Sequence, residues 1–334
     1  MSDNKSNYFD ARNDVSMDYM EIIPKIESSR RNSHNNQTLY HYTCIDAFMS
    51  IMKNRDFWIS NIRFMNDSQE FVNGRDIFIK VIQERLCNEN EKVKSFLLKL
   101  QDVCKSDISS GIFKINSKDI FSLSFCSDGD ILTQWQFYGE EGVSIGFYND
   151  ICDINRITFM DENQYDEEIR EKKPEDMLPH NELICCTYPV IYDNNEKMRI
   201  FNQILDIGIH FINKFNGVED MCVDELSYVL FFYFALMKDE HFSHEQELRF
   251  LDFTPQKNSS VHFRTRGKII LPYIKKKILD ANCRPHAIFP ISDIVIAPSS
   301  QQDYVANSIK YFLNKSGYDY LVEKVRLSKI PYRT

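Results

Sequence analysis

Glu245, Glu247 and Arg249 alternate along the segment Glu245-Gln-Glu-Leu-Arg-Phe-Leu-Asp252. An extended chain sends residues two apart to the same side. As a strand, this segment presents two carboxylates and a guanidinium on one face, with Leu248 and Phe250 on the other. Two carboxylates in one site suit acid–base work: one steadies positive charge as it develops, the other accepts a proton. The ordinary alternative is an ion-paired, solvent-facing strand, because exposed pairs are common and contribute little. A second candidate is His41, in the run Thr38-Leu-Tyr-His-Tyr-Thr43; its ordinary alternative is a core histidine with its hydrogen bonds satisfied. Trp135 and Tyr138 lie three apart, as core or as a stacking surface. Asn66 and Asp67 precede Ser68-Gln-Glu70 in a pattern that capping alone explains.

The elements that must position these residues follow from periodicity. Residues 1–37 are polar and read as a loosely ordered arm, with a short helix from Met17 to Ile23 that stops before Pro24. Thr38–Thr43 and Phe57–Ser60 have the length and β-favouring composition of strands. Between them Ile45, Phe48, Met49, Ile51 and Met52 recur at helical spacing. Helices are expected from Ser68 towards Cys87, from Glu89 to Lys105, from Asn195 to Asn213 and from Asp224 to Asp239. Phe121–Cys126 alternates at period two, as a core strand does, and Gly142–Phe147 is another strand. Further strands are expected over Cys185–Tyr192, Val261–Arg264, Lys268–Leu271, Ile291–Ala297 and Leu321–Leu327, with a helix from Tyr304 to Ser316. Strands and helices intermix without a βαβ rhythm. That predicts a single α+β domain over residues 38–334, built on a mixed, mainly antiparallel sheet with packed helices.

Composition narrows the function. The formal net charge is −9, whereas a chain that coats nucleic acid needs a basic balance. The run Lys275-Lys276-Lys277 is the candidate for a local basic groove, and a solvated helix face is its ordinary reading. Nine cysteines at irregular spacing, without Cys-x-x-Cys, fit neither a disulfide framework nor a zinc ribbon; reduced thiols in a cytoplasm fit best. The N-terminus lacks the apolar core of a signal peptide. The longest apolar run, Tyr228–Met237, is about half a membrane span and reads as a buried helix, so no membrane partner is expected. A metal-dependent nuclease would want a lysine near clustered carboxylates, where this chain has Arg249. His241 and His244 lack the His-Glu-x-x-His pattern, and no metal site is assigned. Gly139-Glu-Glu-Gly142 places carboxylates where a phosphate loop needs room. There is no Gly-x-Ser-x-Gly elbow.

Over residues 38–334 the chain resembles the bacterial family of domain of unknown function 2971. The residues that carry the resemblance are Leu39-Tyr-His-Tyr-Thr43, Asn66-Asp-Ser-Gln-Glu70, Ser124-Phe-Cys-Ser127, Gln134-Trp135 with Tyr138, Gly142–Phe147, Phe242–Arg249 and Leu327–Arg333. Cys126 and Ala297 depart from the usual Ser and Gly. More distantly, His41-Tyr-Thr43 and the helix after it are similar to the opening of ADP-ribosyltransferase-like toxins. That likeness implies NAD as substrate, with His41 holding the nicotinamide ribose. Glu247 would be the principal carboxylate and Glu245 the acceptor-side one. Tyr42, Thr43, Ser124, Tyr138, Arg249 and Asn66 would line the pocket. Cleaving the nicotinamide–ribose bond develops an oxocarbenium-like cation, which a fixed carboxylate stabilises.

The expectation is therefore an NAD-dependent ADP-ribosyltransferase or NAD glycohydrolase, acting as a toxin or antiphage defence effector on a protein or nucleic-acid acceptor, with an antitoxin or defence partner. A non-catalytic binding or sensor module is the competing class and a metal-dependent nuclease the third. The sheet is expected to bring His41, Ser124 and Glu247 into one cleft.

Overall fold

Phe121, Leu123 and Phe125 alternate with Ser122, Ser124 and Cys126, and in the computed structural model this segment is the strand on which the sheet turns. The structure describes residues 19–27, 38–64, 68–109, 119–139, 142–149, 158–161, 187–252, 261–279 and 289–331. In chain order the first elements are α1 (Tyr19–Glu27), β1 (Leu39–Thr43), α2 (Ile45–Asn54), β2 (Asp56–Asn61), α3 (Ser68–Leu86), α4 (Glu91–Ser109) and β3 (Phe121–Cys126). There follow β4 (Val143–Phe147), β5 (Thr158–Asp161), β6 (Thr187–Pro189), α5 (Asn194–Lys214) and α6 (Glu219–Leu236). The last are β7 (Glu247–Asp252), β8 (His262–Arg266), β9 (Ile269–Leu279), β10 (Ile291–Ile296), α7 (Gln302–Lys315) and β11 (Val325–Leu327).

These elements form two compact units, each woven from separate stretches of chain. One comprises residues 1–33, 65–120 and 190–243; the other comprises 34–64, 121–189 and 244–334.

The first unit is helical. Phe78 and Ile82 of α3, Phe96 and Leu100 of α4, Phe201 and Leu205 of α5, and most of α6 are buried. Because α6 is apolar nearly all round, it is enclosed rather than amphipathic. Gly208 lets α5 sit close to its neighbours, since a Cβ there would lie 2.5 Å from Leu226 and 2.9 Å from Phe96. The apolar run from Tyr228 ends α6 as a buried helix, and no helix among the described residues is long and apolar enough to cross a membrane. The expected stop before Pro24 does not occur: α1 continues to Glu27. Burial of Ile22, Ile23 and Ile26 accompanies the continuation, and fully buried Glu27 accepts a hydrogen bond from Tyr233 at 2.9 Å. Tertiary packing here outweighs the local preference of the residue before a proline.

The second unit holds the sheet, in the order β11-β10-β4-β1-β3-β2-β9-β5, with β7 joined to β3 and β6, and β8 joined to β9. Among the described strands every pairing is antiparallel except β10–β11. One face carries the main core. Leu39, Phe57, Phe121, Phe125, Ile145 and Phe147 pack there with Phe48 of α2 and Leu313 of α7. The opposite face has a small apolar cluster of Tyr42, Cys126, Trp135, Val295 and Ala297, and elsewhere mixes polar residues with the rings of Trp58 and Tyr273. The α+β class and the mainly antiparallel sheet are as the alternation implies.

Several boundaries moved. Of the strand expected over Cys185–Tyr192, the described residues form Thr187–Pro189 and an isolated bridge at Ile191, and Cys185 and Cys186 lie outside the described residues. Leu321 belongs to a 3-10 turn, Asp319–Lys324, that precedes β11. Lys275–Lys277, whose ordinary reading is a helix face, lie instead in β9. Strand alternation separates them: Lys276 is buried in an ion pair with Asp252, while Lys277 lies 3.5 Å from Asp56.

Candidate functional site

One edge of β3 is paired with β7 from Phe121 to Cys126. Its other edge is shared: β2 pairs it at Ser122 and Phe121, and β1 only at Cys126. Between those ladders β1 and β2 diverge, and the sheet is split beside Leu123, Ser124 and Phe125. A main-chain group in such a gap needs another partner. His41 supplies it, its Nδ1 donating to the Ser124 carbonyl at 3.1 Å. A carbonyl only accepts, so Nδ1 carries the hydrogen and Nε2 the lone pair. The imidazole sits edge-on to Phe57 and Phe125, at 5.0 and 5.9 Å. Burial pushes its pKa below the ordinary histidine value, partly offset by the Ser124 bond. His41 is therefore a neutral imidazole.

On the far edge of β3 the charged segment is only partly as expected. β7 begins at Glu247, and Glu247 and Arg249 share a face as alternation requires. Both are buried, and the guanidinium grips the carboxylate with two bonds, Nε–Oε1 at 2.7 Å and Nη2–Oε2 at 2.9 Å. Glu245 does not share that strand. It ends a 3-10 turn, and Gln246 between the two acids adopts a left-handed conformation, φ 47°. That turn breaks the two-residue alternation on which a Glu245–Glu247 pair rests, so the expectation of two carboxylates side by side on β7 is corrected. The Gln246 side chain accepts from Ser127 Oγ at 2.7 Å, which ties the turn to the loop after β3.

Register then settles who shares a face. Cys126 lies opposite Glu247, Ser124 opposite Arg249 and Tyr40 opposite Cys126. Ser124, Glu247, Arg249 and Tyr40 thus stand on the polar face. His41 alternates with Tyr40 and Tyr42 and points, with Leu39, to the face of the main core. It meets Ser124 through the main chain at the split, with its backbone about two strand spacings, roughly 10 Å, from that of Glu247.

The remaining sequence candidates fall in several places. Tyr42 is buried and engaged at both valences: its hydroxyl donates to the Asp128 carbonyl at 2.9 Å and accepts from Ile131 N–H at 2.8 Å. Desolvation drives its pKa well up. Its ring meets Trp135 edge-on at 4.7 Å, and Trp135 Nε1 donates to Asp130 at 2.9 Å, so Trp135 is core. Tyr138 sits on a one-turn π-helix, Trp135–Gly139, with Phe137 and Tyr138 both exposed; such turns often accompany sites. Thr43 is buried at the end of β1. Asn66 lies outside the described residues.

Sequence reasoning missed Tyr40. A Cβ on Gly129 would fall 2.3 Å from its ring and one on Gly146 2.8 Å from it, so both glycines make a slot for the ring. Its hydroxyl reaches Asp293 at 3.4 Å, and Asp293 is held by Arg326 at 2.6 Å. The two isolated glycines near an aromatic-rich strand were the available signal. Among the described residues no group of three or more His, Cys, Asp and Glu is placed to hold a metal ion.

Residues 134–250 match the model of a family described as Protein of unknown function (DUF2971). The matched segment starts at Gln134 and takes in Glu247 and Arg249, whereas His41 and Ser124 precede it. No curated protein and no solved structure matches the chain.

Proposed function

We propose that the polar face beside the sheet split binds NAD, and that the protein cleaves the nicotinamide–ribose bond, passing ADP-ribose to an acceptor or to water. The observation that carries this reading is the buried Glu247, held in one orientation by Arg249 across β3 from a split that His41 bridges. As the bond between nicotinamide nitrogen and ribose C1′ breaks, its electron pair leaves with nicotinamide and the ribose becomes cationic. A carboxylate fixed in a poorly hydrated place stabilises that charge without reorganising. Arg249 holds the Glu247 carboxylate in one orientation through the two-bond fork. His41 acts as a positioning residue: from the core side of the sheet it holds the Ser124 main chain at the split. Glu245, across the left-handed Gln246, is the candidate to take the acceptor's proton.

A second reading has its own support. The Arg249 fork already satisfies Glu247, as in a purely structural ion pair, and this favours a non-catalytic binding module. Nicotinamide release by the purified protein, with cell extract as a source of acceptors, separates the two. Release by wild type and its loss in Glu247→Gln support the transferase or glycohydrolase. No release by either protein, with no heat of NAD binding, overturns it.

A further inference from the structure

The hairpin of β8 and β9 differs in charge from the rest of the chain. Residues 262–279 contain Arg264, Arg266, Lys268, Lys275, Lys276 and Lys277 and no Asp or Glu, in a protein of formal net charge −9. The β2 ladder holds β9 only from Tyr273 to Lys277, and residues 269–273 pair with β8. Arg266 and Lys268, at the turn around Gly267, are exposed.

An aromatic stack stands at the base of this hairpin, on the polar face of the sheet. Trp58 lies on Tyr273 with centroids 4.7 Å apart and planes 21° from parallel. The Arg264 guanidinium sits 5.8 Å from the Trp58 centroid and 5.7 Å from that of Tyr273, and donates to Ser60 Oγ at 2.9 Å. Register places Ser122, Ser60, Tyr273 and His262 in one row across β3, β2, β9 and β8. Trp58 keeps 39% of its surface exposed despite the stack. The Ser122 hydroxyl, buried in the same row, has no hydrogen-bond partner among the described residues. The apolar Phe263 and Ile270 are also exposed, but alternation turns them away from this row.

A rigid indole left open on a cation-rich face matches one ligand chemistry: planar bases joined by phosphates. Bases stack on aromatic rings whatever their sequence, and cations follow the backbone between them. A duplex keeps the faces of its bases covered by their neighbours, so the open indole selects a single strand. We propose that this face binds single-stranded nucleic acid, one base stacking on Trp58 while Arg266 and Lys268 contact the adjoining phosphates. Stacking and phosphate contact ignore the sugar, so DNA and RNA bind alike. This surface goes beyond the transfer reading and is tested with no dinucleotide present.

The experiment is fluorescence anisotropy of labelled oligo-dT and oligo-rU, about 12 nucleotides long, titrated with the full chain at low salt. Both bind the wild type, with affinities within about threefold of each other, since stacking is sugar-tolerant. Trp58→Ala weakens both about tenfold, with thermal unfolding run alongside to show that the variant is folded. Arg266→Glu/Lys268→Glu, confined to exposed positions, lowers the slope of log K against log salt by about 1.4, from two phosphates at roughly 0.7 each. Failure of either oligomer to bind, duplex binding as tight as single-strand binding, or unchanged affinity and slope in both variants overturns the proposal. So does binding to phosphatidylserine vesicles with none to the oligomers.

Discussion

Replacing Arg249 by Met strips the guanidinium from a carboxylate that has almost no contact with water. Both side chains are 6% exposed and joined by two bonds, so the interaction is a buried fork rather than a surface pair. Removing one partner of such a pair costs about 3–5 kcal/mol, because the other charge is stranded. Each residue has further contacts that survive the substitution. The lower end, about 3 kcal/mol, is therefore expected. Met fills irregular space well, so little of the loss comes from a cavity. Glu247→Gln/Arg249→Met removes both charges and recovers about 2 kcal/mol of it, a coupling that a double-mutant cycle reads directly. The assay is denaturant unfolding followed by tryptophan emission. Both tryptophans, Trp58 and Trp135, belong to the sheet unit, so the signal reports the unit that carries the pair. A single variant within about 1 kcal/mol of wild type at pH 7, or a double variant no more stable than the single one, refutes the buried-pair reasoning.

Three further outcomes follow from the site's geometry. The pKa of His41 is lowered by burial, so the unfolded chain binds a proton first. Its contribution to stability is full above about pH 6.5 and is lost as pH falls from there towards the lowered folded value. His41→Gln should flatten that part of the stability–pH curve, and an unchanged curve would contradict a desolvated, neutral imidazole. Gly129→Ala places a methyl group inside the Tyr40 ring position and should destabilise the sheet unit by about 1–3 kcal/mol in the same emission assay. Gln246 sits at φ 47°, where an L-residue pays roughly 1 kcal/mol that glycine does not. Gln246→Gly should hold or raise the thermal midpoint and Gln246→Val should lower it; equal midpoints would remove the strain argument.

The parts of this protein legible in its sequence are those where one physical signal dominates. Period-two alternation placed β3 from Phe121 to Cys126 and apolar periodicity placed α5, while the helix expected over Asp224–Asp239 exists but runs from Glu219 to Leu236. Two-residue spacing put Arg249 on a face with the carboxylates, but only the structure shows that its partner is Glu247. Glu245 was misread because nothing local announces a left-handed Gln246; the same residues would make an ordinary strand if β7 began two positions earlier. The lysine run resembled a helix face because three adjacent charges carry no period, and only the partner strands reveal that Lys276 is buried on Asp252. The split beside Ser124 is invisible in sequence because it arises from how β1 and β2 diverge across a third strand. The register of β1 and β7 on β3 decides that His41 faces the core side while Glu247 faces the other, which alternation within each strand could not relate.

The most direct test of the proposed function is a crystal structure of the full chain with NAD, using Glu247→Gln to prevent turnover. The account predicts the nicotinamide ribose on the polar face of β3 and β7, within about 3 Å of the residue-247 side chain and beside the split held by His41. A dinucleotide bound away from that face, or no bound dinucleotide although the wild-type protein releases nicotinamide, would contradict it.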